Sequence, residues 1–179
     1  AFASSDTWES FVEHFRRGQQ PLPQAWADLF GPLRTGTVDD LVIVGQVGQS
    51  LDGRVATATG HSKYINCPAV IDPRGRLEAN AKLFADDGVR RLLITTDGSR
   101  ATPPPGVEVI TLPAEDGNIA PSAIVAALAG AGMRRMLIEG GADTVSRFIA
   151  ARCLDRLHVN VAPVMLGAGG PGIDLPPLE

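Results

Sequence analysis

The chain has 179 residues, 44% of them apolar and 20% charged, which is length for one domain with a real core and the balance of a soluble globular protein. Its formal charge of −4 gives no general pull toward nucleic acid or an anionic membrane, and it leaves room for a local basic pocket. No apolar run approaches the ~18 residues of a membrane span, and the opening "AFASSDTWES" lacks a basic stretch followed by an apolar core, so neither a membrane span nor a signal peptide is expected.

The chain does not open on Met, so it need not be the whole gene product. In "SSDTWESFVEHF", Asp6 and Glu9 have the spacing of a capping box. Trp8, Phe11, Val12 and Phe15 then fall on one helical face, and Gly18 ends the segment. "PLPQAWADLFGPL" reads as a second short helix, entered through Pro23 and closed by Gly31-Pro32. Residues 1–36 are therefore expected to be a helical extension with a structural role, and 37–179 to be the main domain.

From Leu41 the pattern changes. "LVIVGQV" (41–47) is a continuous apolar run with β-branched residues, as a buried strand requires. "RVATA" follows an Asp52-Gly53 turn signal. "AVID" (69–72), "RLLITT" (91–96), "VEVITL" (107–112), "MLIE" (136–139) and "LHVNVAPVM" (157–165) complete the expected strands. Between the later ones, "APSAIVAALAGAG" has Pro121 in its first turn and glycine at its end. "ADTVSRFIAARCL" follows Gly140-Gly141. Short apolar strands alternating with helices indicate an α/β domain, with a mostly parallel central sheet flanked by helices. Cys67 and Cys153 belong to no CxxC pair and are expected to be idle thiols in a cytoplasmic protein, with no metal site.

Three stretches carry candidate chemistry. "MLIEGGADTVSRFI" puts Glu139 at the carboxyl end of a buried strand, where open α/β sheets place ligands. Gly140 and Gly141 let a ligand approach the backbone, and the helix starting near Ala142 offers unpaired N–H groups at its positive end. Thr144 and Ser146 add hydroxyls. That is a site for a phosphate or pyrophosphate; equally, two glycines make a tight strand-to-helix turn with no ligand. "GQSLDGRVATATGHSKYI" (48–65) gathers Ser50, Arg54, Thr57, Thr59, Ser62, Lys63 and Tyr64, with His61 read as exposed. "VMLGAGGPGIDL" (164–175) has four glycines after the last strand and reads as a mobile loop.

"SLDGRVATATGHSKYI", "VIDPRGRL", "LIEGGADTVSRFI" and "VNVAPVMLG" together resemble the bacterial riboflavin-biosynthesis reductase, the C-terminal domain of RibD, over roughly residues 40–175. The resemblance implies a dihydrofolate-reductase-like fold, NADPH as cofactor and a homodimer. It also implies reduction of the ribosyl group of 5-amino-6-(5-phosphoribosylamino)uracil, by hydride transfer to the anomeric carbon of the ring-opened sugar. By matching motifs, Gly48 lies against the cofactor, Tyr64 flanks the nicotinamide and Pro73 borders the cofactor. Ser62 and Glu139 hold the substrate. Gly141, Ala142, Asp143, Thr144, Val145, Ser146 and Arg147 cradle the pyrophosphate.

Three departures accompany the resemblance. The family has a helix, a strand and a Thr-x-x-x-Asp-Asp-Pro segment before "VIDxxGR", whereas here Pro68 runs straight into Ala69. A segment is therefore expected to be missing between 68 and 69, either deleted or left out of this sequence. Gln46 stands where many relatives carry lysine, which suggests a shifted substrate. No H-x-E with P-C-x-x-C precedes the domain, so the chain as given lacks a zinc deaminase. The competing readings are a related reductase with another substrate and a non-catalytic nucleotide-binding protein of the same fold.

Overall fold

The apolar run after Leu41 forms β1 (Val42–Ser50), buried at Ile43, Val44 and Val47. The computed structural model describes residues 41–55, 67–84 and 87–175. The expected N-terminal helices, most of "RVATA", and Ser62 and Tyr64 lie outside the described residues. The chain divides into two units, Ala1–Val42 and Ile43–Glu179, and the description below is of the second.

After β1 come β2 (Arg54–Val55), β3 (Ala69–Ile71), β4 (Arg91–Thr95) and β5 (Val107–Thr111). A hairpin of β6 (Ala114–Glu115) and β7 (Asn118–Ile119) leads to α1 (Pro121–Gly130) and β8 (Arg135–Glu139). The chain then forms α2 (Ala142–Ala150), β9 (Arg156–Ala162) and β10 (Gly170–Pro171). The long strands and both helices match the expected segments to within a few residues. The hairpin and β10 are additions to them.

β4 is buried along its whole length and lies between β3 and β5, parallel to both. β1 lies between β8 and β9, and pairs parallel with β9 from Val44↔Arg156 to Ser50↔Ala162. Among the described residues the long strands form two three-stranded sheets, and the short ones form the pairs β10–β2 and β6–β7. The expected shortfall at Pro68–Ala69 falls directly before β3, an outer strand of its sheet; there the Pro68 carbonyl accepts the Leu92 N–H at 3.0 Å. Both sheets contribute to one core: Ile43 and Ile138 from the first, Leu92 and Ile94 from the second, with Ile124, Leu128 and Phe148 from the helices.

Both helices end in the same way. The Met133 N–H donates to Leu128 and the Gly132 N–H to Ala129, with Gly132 at φ +91°. This is a Schellman end with glycine in the left-handed position. At α2 the equivalent bonds run from Cys153 to Phe148 and from Arg152 to Ile149, with Arg152 at φ +53° in the glycine's place.

The glycine-rich segment is tied down, contrary to its reading as a mobile loop. Asp52 accepts the N–H of Leu166 at 3.2 Å and of Gly167 at 2.9 Å. Arg54 donates to the Gly169 carbonyl, the Gly172 N–H donates to Gly53, and β10 pairs antiparallel with β2. The Ser50 hydroxyl and these two amides hold the Asp52 carboxyl down at about 2. A carboxylate acting as a turn residue has become the anchor of a loop more than a hundred residues away. Among the described residues, no helix is long and apolar enough to cross a membrane.

Candidate functional site

"VIDPRGRL" folds as a turn clamped to the end of β4. Asp72 is buried, and its carboxylate accepts the Leu77 N–H at 2.8 Å. The Asp72 carbonyl accepts the Thr95 hydroxyl at 2.8 Å and the Gly75 N–H at 3.3 Å. The Thr96 hydroxyl donates to Pro73 at 2.8 Å. The turn is thereby fixed to the buried sheet, while Arg74 and Arg76 on it are exposed.

Gly75, between the two arginines, has φ +62°, and a Cβ there would collide with the Ala101 nitrogen. Glycine is required at this point by its own backbone and by the neighbouring chain.

The two glycines after β8 have different reasons. A Cβ on Gly140 would meet the Thr144 Cβ at 2.8 Å, so Gly140 is small because α2 folds back on it. A Cβ on Gly141 would meet nothing within 4 Å. Gly141 is the N-cap of α2 in extended conformation, with no side-chain cap bond. The first N–H groups of α2 therefore have neither intrahelical acceptors nor a capping side chain. Asp143 is the acidic residue in that first turn, complementing the helix dipole.

The third wall is the β6–β7 hairpin. Asp116 and Gly117 have φ +51° and +74°, as a two-residue primed turn requires. Arg147 of α2 donates to the Asn118 side chain and to the Ile119 carbonyl, both at 3.1 Å. A Cβ at Gly117 would sit 3.7 Å from the Arg74 guanidinium. The turn, the hairpin and the starts of both helices enclose a cleft of about 260 Å³. Its charged lining is Arg74, Arg76, Arg147 and Asp143, three guanidiniums to one carboxylate. Among the described residues, Arg74 and Arg76 have no hydrogen-bond or ion-pair partner.

Of the residues expected at the site, Pro73, Asp143, Thr144 and Arg147 come together in this cleft. Val145 is fully buried in the core, and its N–H bonds the Gly141 carbonyl inside the helix. Ser146 is also buried, and its hydroxyl accepts the Asp174 N–H at 2.7 Å. Both side chains thus serve packing and the C-terminal segment, and neither lines the cleft. Ala142 is half-buried in the first turn. Glu139 is exposed at the end of β8, outside the cleft lining. Gly48 is exposed on β1 beside Asn160 of β9, with open space over it. Gln46 is half-buried on the same strand. Cys67 and Cys153 are free thiols, and burial raises the Cys67 thiol. No cluster of three metal-ligating side chains occurs among the described residues.

Sequence reasoning missed Arg74, Arg76 and the hairpin. The hairpin had a signal: Asp116-Gly117 is a strong short-range turn pair. The arginines had none, because an exposed arginine in a turn gains meaning only from what folds beside it.

The RibD C-terminal domain model matches residues 66–178. The riboflavin biosynthesis protein RibD of Bacillus amyloliquefaciens is 24% identical over 166 residues, covering 66% of this chain and 44% of the relative. The aligned stretch is longer than the share of this 179-residue chain within it, so the relative has residues there with no counterpart here. The chain spans less than half the length of that relative. The riboflavin biosynthesis reductase of Saccharomyces cerevisiae superposes with a TM-score of 0.65 at 14% identity, covering 87% of this chain and 89% of that one. The Thermotoga maritima diaminohydroxyphosphoribosylaminopyrimidine deaminase/5-amino-6-(5-phosphoribosylamino)uracil reductase superposes at 0.59 with 18% identity, covering 74% and 48%. The fold is the dihydrofolate-reductase-like α/β fold of these reductases. With the family model covering more than half of its residues, the chain belongs to the RibD C-terminal domain family.

Proposed function

We propose that the chain is an NADPH-dependent reductase of riboflavin biosynthesis, acting on 5-amino-6-(5-phosphoribosylamino)uracil or a close analogue. The observation that carries this reading is the start of α2, with open Gly141 as its N-cap and Asp143, Thr144 and Arg147 lining a cleft rich in arginine. Backbone N–H groups and a helix dipole suit a pyrophosphate, and the open face of Gly141 lets it come near. When bound, NADPH supplies hydride to the anomeric carbon of the ring-opened sugar. The chain's own part is to hold the two reactants in line. Gly141, Ala142, Asp143, Thr144 and Arg147, with Pro73, bind the dinucleotide, Gly48 leaves room for it, and Tyr64 flanks the ring. Glu139 and Ser62 hold the substrate.

The protein is further proposed to be cytoplasmic and a homodimer. Support for the dimer comes from β9, an outer strand with Leu157, Val159 and Val161 exposed, and from exposed Val164, Met165 and Leu166 beyond it.

Fluorescence titration with NADPH, followed by turnover of the phosphoribosylaminouracil, tests the reading. Glu139→Gln is expected to lower turnover at least about tenfold with NADPH affinity unchanged. Gly141→Val is expected to weaken NADPH binding, because its branched side chain would occupy space that is now open. Equal loss of turnover and affinity in Glu139→Gln would remove its substrate role. Tight NADPH binding without turnover would favour the non-catalytic reading, toward which Gln46 points.

A further inference from the structure

We propose that the face of the β8–β1–β9 sheet turned away from the core seats the pyrimidine ring of the substrate, and that Asn160 is the residue that reads the edge of that ring. Alternation along the strands decides which residues share this face. Ile43 of β1 and Met136 and Ile138 of β8 belong to the core. Their strand neighbours lie on the other side: Val44, Gln46 and Gly48 on β1, and Leu137 and Glu139 on β8. On β9 the parallel register sets Arg156 beside Val44, His158 beside Gln46 and Asn160 beside Gly48. Along β1 the face opens toward the carboxyl end, where Val44 is buried, Gln46 half-buried and Gly48 exposed. A Cβ on Gly48 would meet nothing within 4 Å. Bare backbone is thus bordered by two carboxamides and an imidazole, on the face that also carries Glu139. Among the described residues, no hydrogen bond or ion pair engages the side chains of Gln46, His158 or Asn160. A carboxamide brings both donors and an acceptor without charge. That suits a neutral ring whose edge alternates C=O and N–H, because one amide can accept from the N–H while donating to the C=O beside it. A pyrimidinedione has such an edge across C2, N3 and C4. Gly48 leaves room for the cofactor in the reading above, so a ring held by Asn160 lies next to it, as hydride transfer requires.

Naming the pyrimidine rests on the reductase reading; the open polar face does not. The test uses 5-amino-6-(5-phosphoribosylamino)uracil and its 2-amino analogue, which carries a donor at C2 in place of the carbonyl. Calorimetry measures the binding of each to the parent chain and to Asn160→Asp, and NADPH consumption measures turnover. Asn160 is exposed, and thermal melting checks that the variant is folded. A carboxylate accepts and does not donate. Asn160→Asp is therefore expected to shift the affinity ratio at least about tenfold toward the 2-amino analogue, as the loss of a matched hydrogen bond implies, and to leave NADPH affinity unchanged. A merely structural role for Asn160 would weaken both compounds alike. An unchanged ratio, or a loss of NADPH affinity in step with the pyrimidine, would overturn the proposal; turnover that persists in that case leaves the reductase reading in place. A shifted ratio without NADPH consumption by the parent chain keeps the pyrimidine site and removes the reductase reading. A parent chain that binds neither compound overturns both.

Discussion

Gly75 separates the two arginines of the cleft and answers two demands at once. Its φ of +62° lies in the left-handed region, and its α-carbon faces the backbone of Arg100 and Ala101. Alanine there incurs strain of about 1–3 kcal/mol from the dihedral alone, and the contact with the neighbouring chain adds to it. Gly75→Ala is expected to lower stability by at least about 2 kcal/mol, read as a shift in the urea midpoint. It is also expected to weaken phosphate binding by displacing Arg74 and Arg76. A variant as stable as the parent would show that the 72–77 turn can relax, and that the clamp by Asp72 is weaker than its bonds suggest. At this scale the sequence was partly legible. Gly140-Gly141 could be read as a helix entry, and Pro73, Asp143, Thr144 and Arg147 as neighbours of one site. What could not be read was which glycine is needed for packing and which is open. That depends on Thr144 folding back over Gly140, a contact made only once α2 leaves the end of β8 at its particular angle. Val145 and Ser146 follow the same logic: a helix start offers its backbone to a ligand while half of its side chains turn into the core.

Among the elements, the segment from Val164 to Gly172 departs furthest from its sequence reading. Four glycines suggested motion, yet the segment is pinned by Asp52, Gly53 and Arg54. The reason was out of reach of local pattern, since Asp52-Gly53 explains itself fully as a turn and its second role needs a partner from the far end of the chain. The carboxyl of Asp52 is held at about 2 by the Ser50 hydroxyl and by the Gly167 and Leu166 amides. A folded-state value below the ordinary carboxylate range of about 4 means that the anchor is at full strength above that range. It is lost as the pH falls through about 2. Hydrogen exchange is therefore expected to find the Leu166 and Gly167 amides protected at neutral pH. In Asp52→Asn that protection is expected to drop at neutral pH. In the parent chain the anchor is expected to weaken only as the pH nears the Asp52 value. Equal protection in both proteins would assign the loop's order to the β2–β10 pairing instead.

Across the whole molecule, the strand pattern announced an α/β domain with parallel pairing, and the structure has it. It also divides that pairing into two sheets around one core, with β3 beginning directly after Pro68. The same pattern hid the state of β9. "LHVNVAPVM" reads only as a strand, and six of the seven residues of β9 are exposed, Val161 by 51%. A strand that is outermost among the described ones and carries exposed apolar side chains invites a partner strand or a second copy. A pair of chains meeting along β9 would cover Val159, Val161 and the apolar residues that follow. Val161→Lys places a charge in the middle of that surface. Val161 is exposed and pairs with half-buried Gln49 of β1, so the fold should tolerate the lysine with a change of no more than about 0.5 kcal/mol. Sedimentation is expected to give a dimer for the parent chain and a dissociation constant at least about tenfold higher for Val161→Lys. A monomer in both cases would leave β9 to another partner. An undiminished dimer in the variant would move the interface away from this strand, and the exposed valines would need a different explanation.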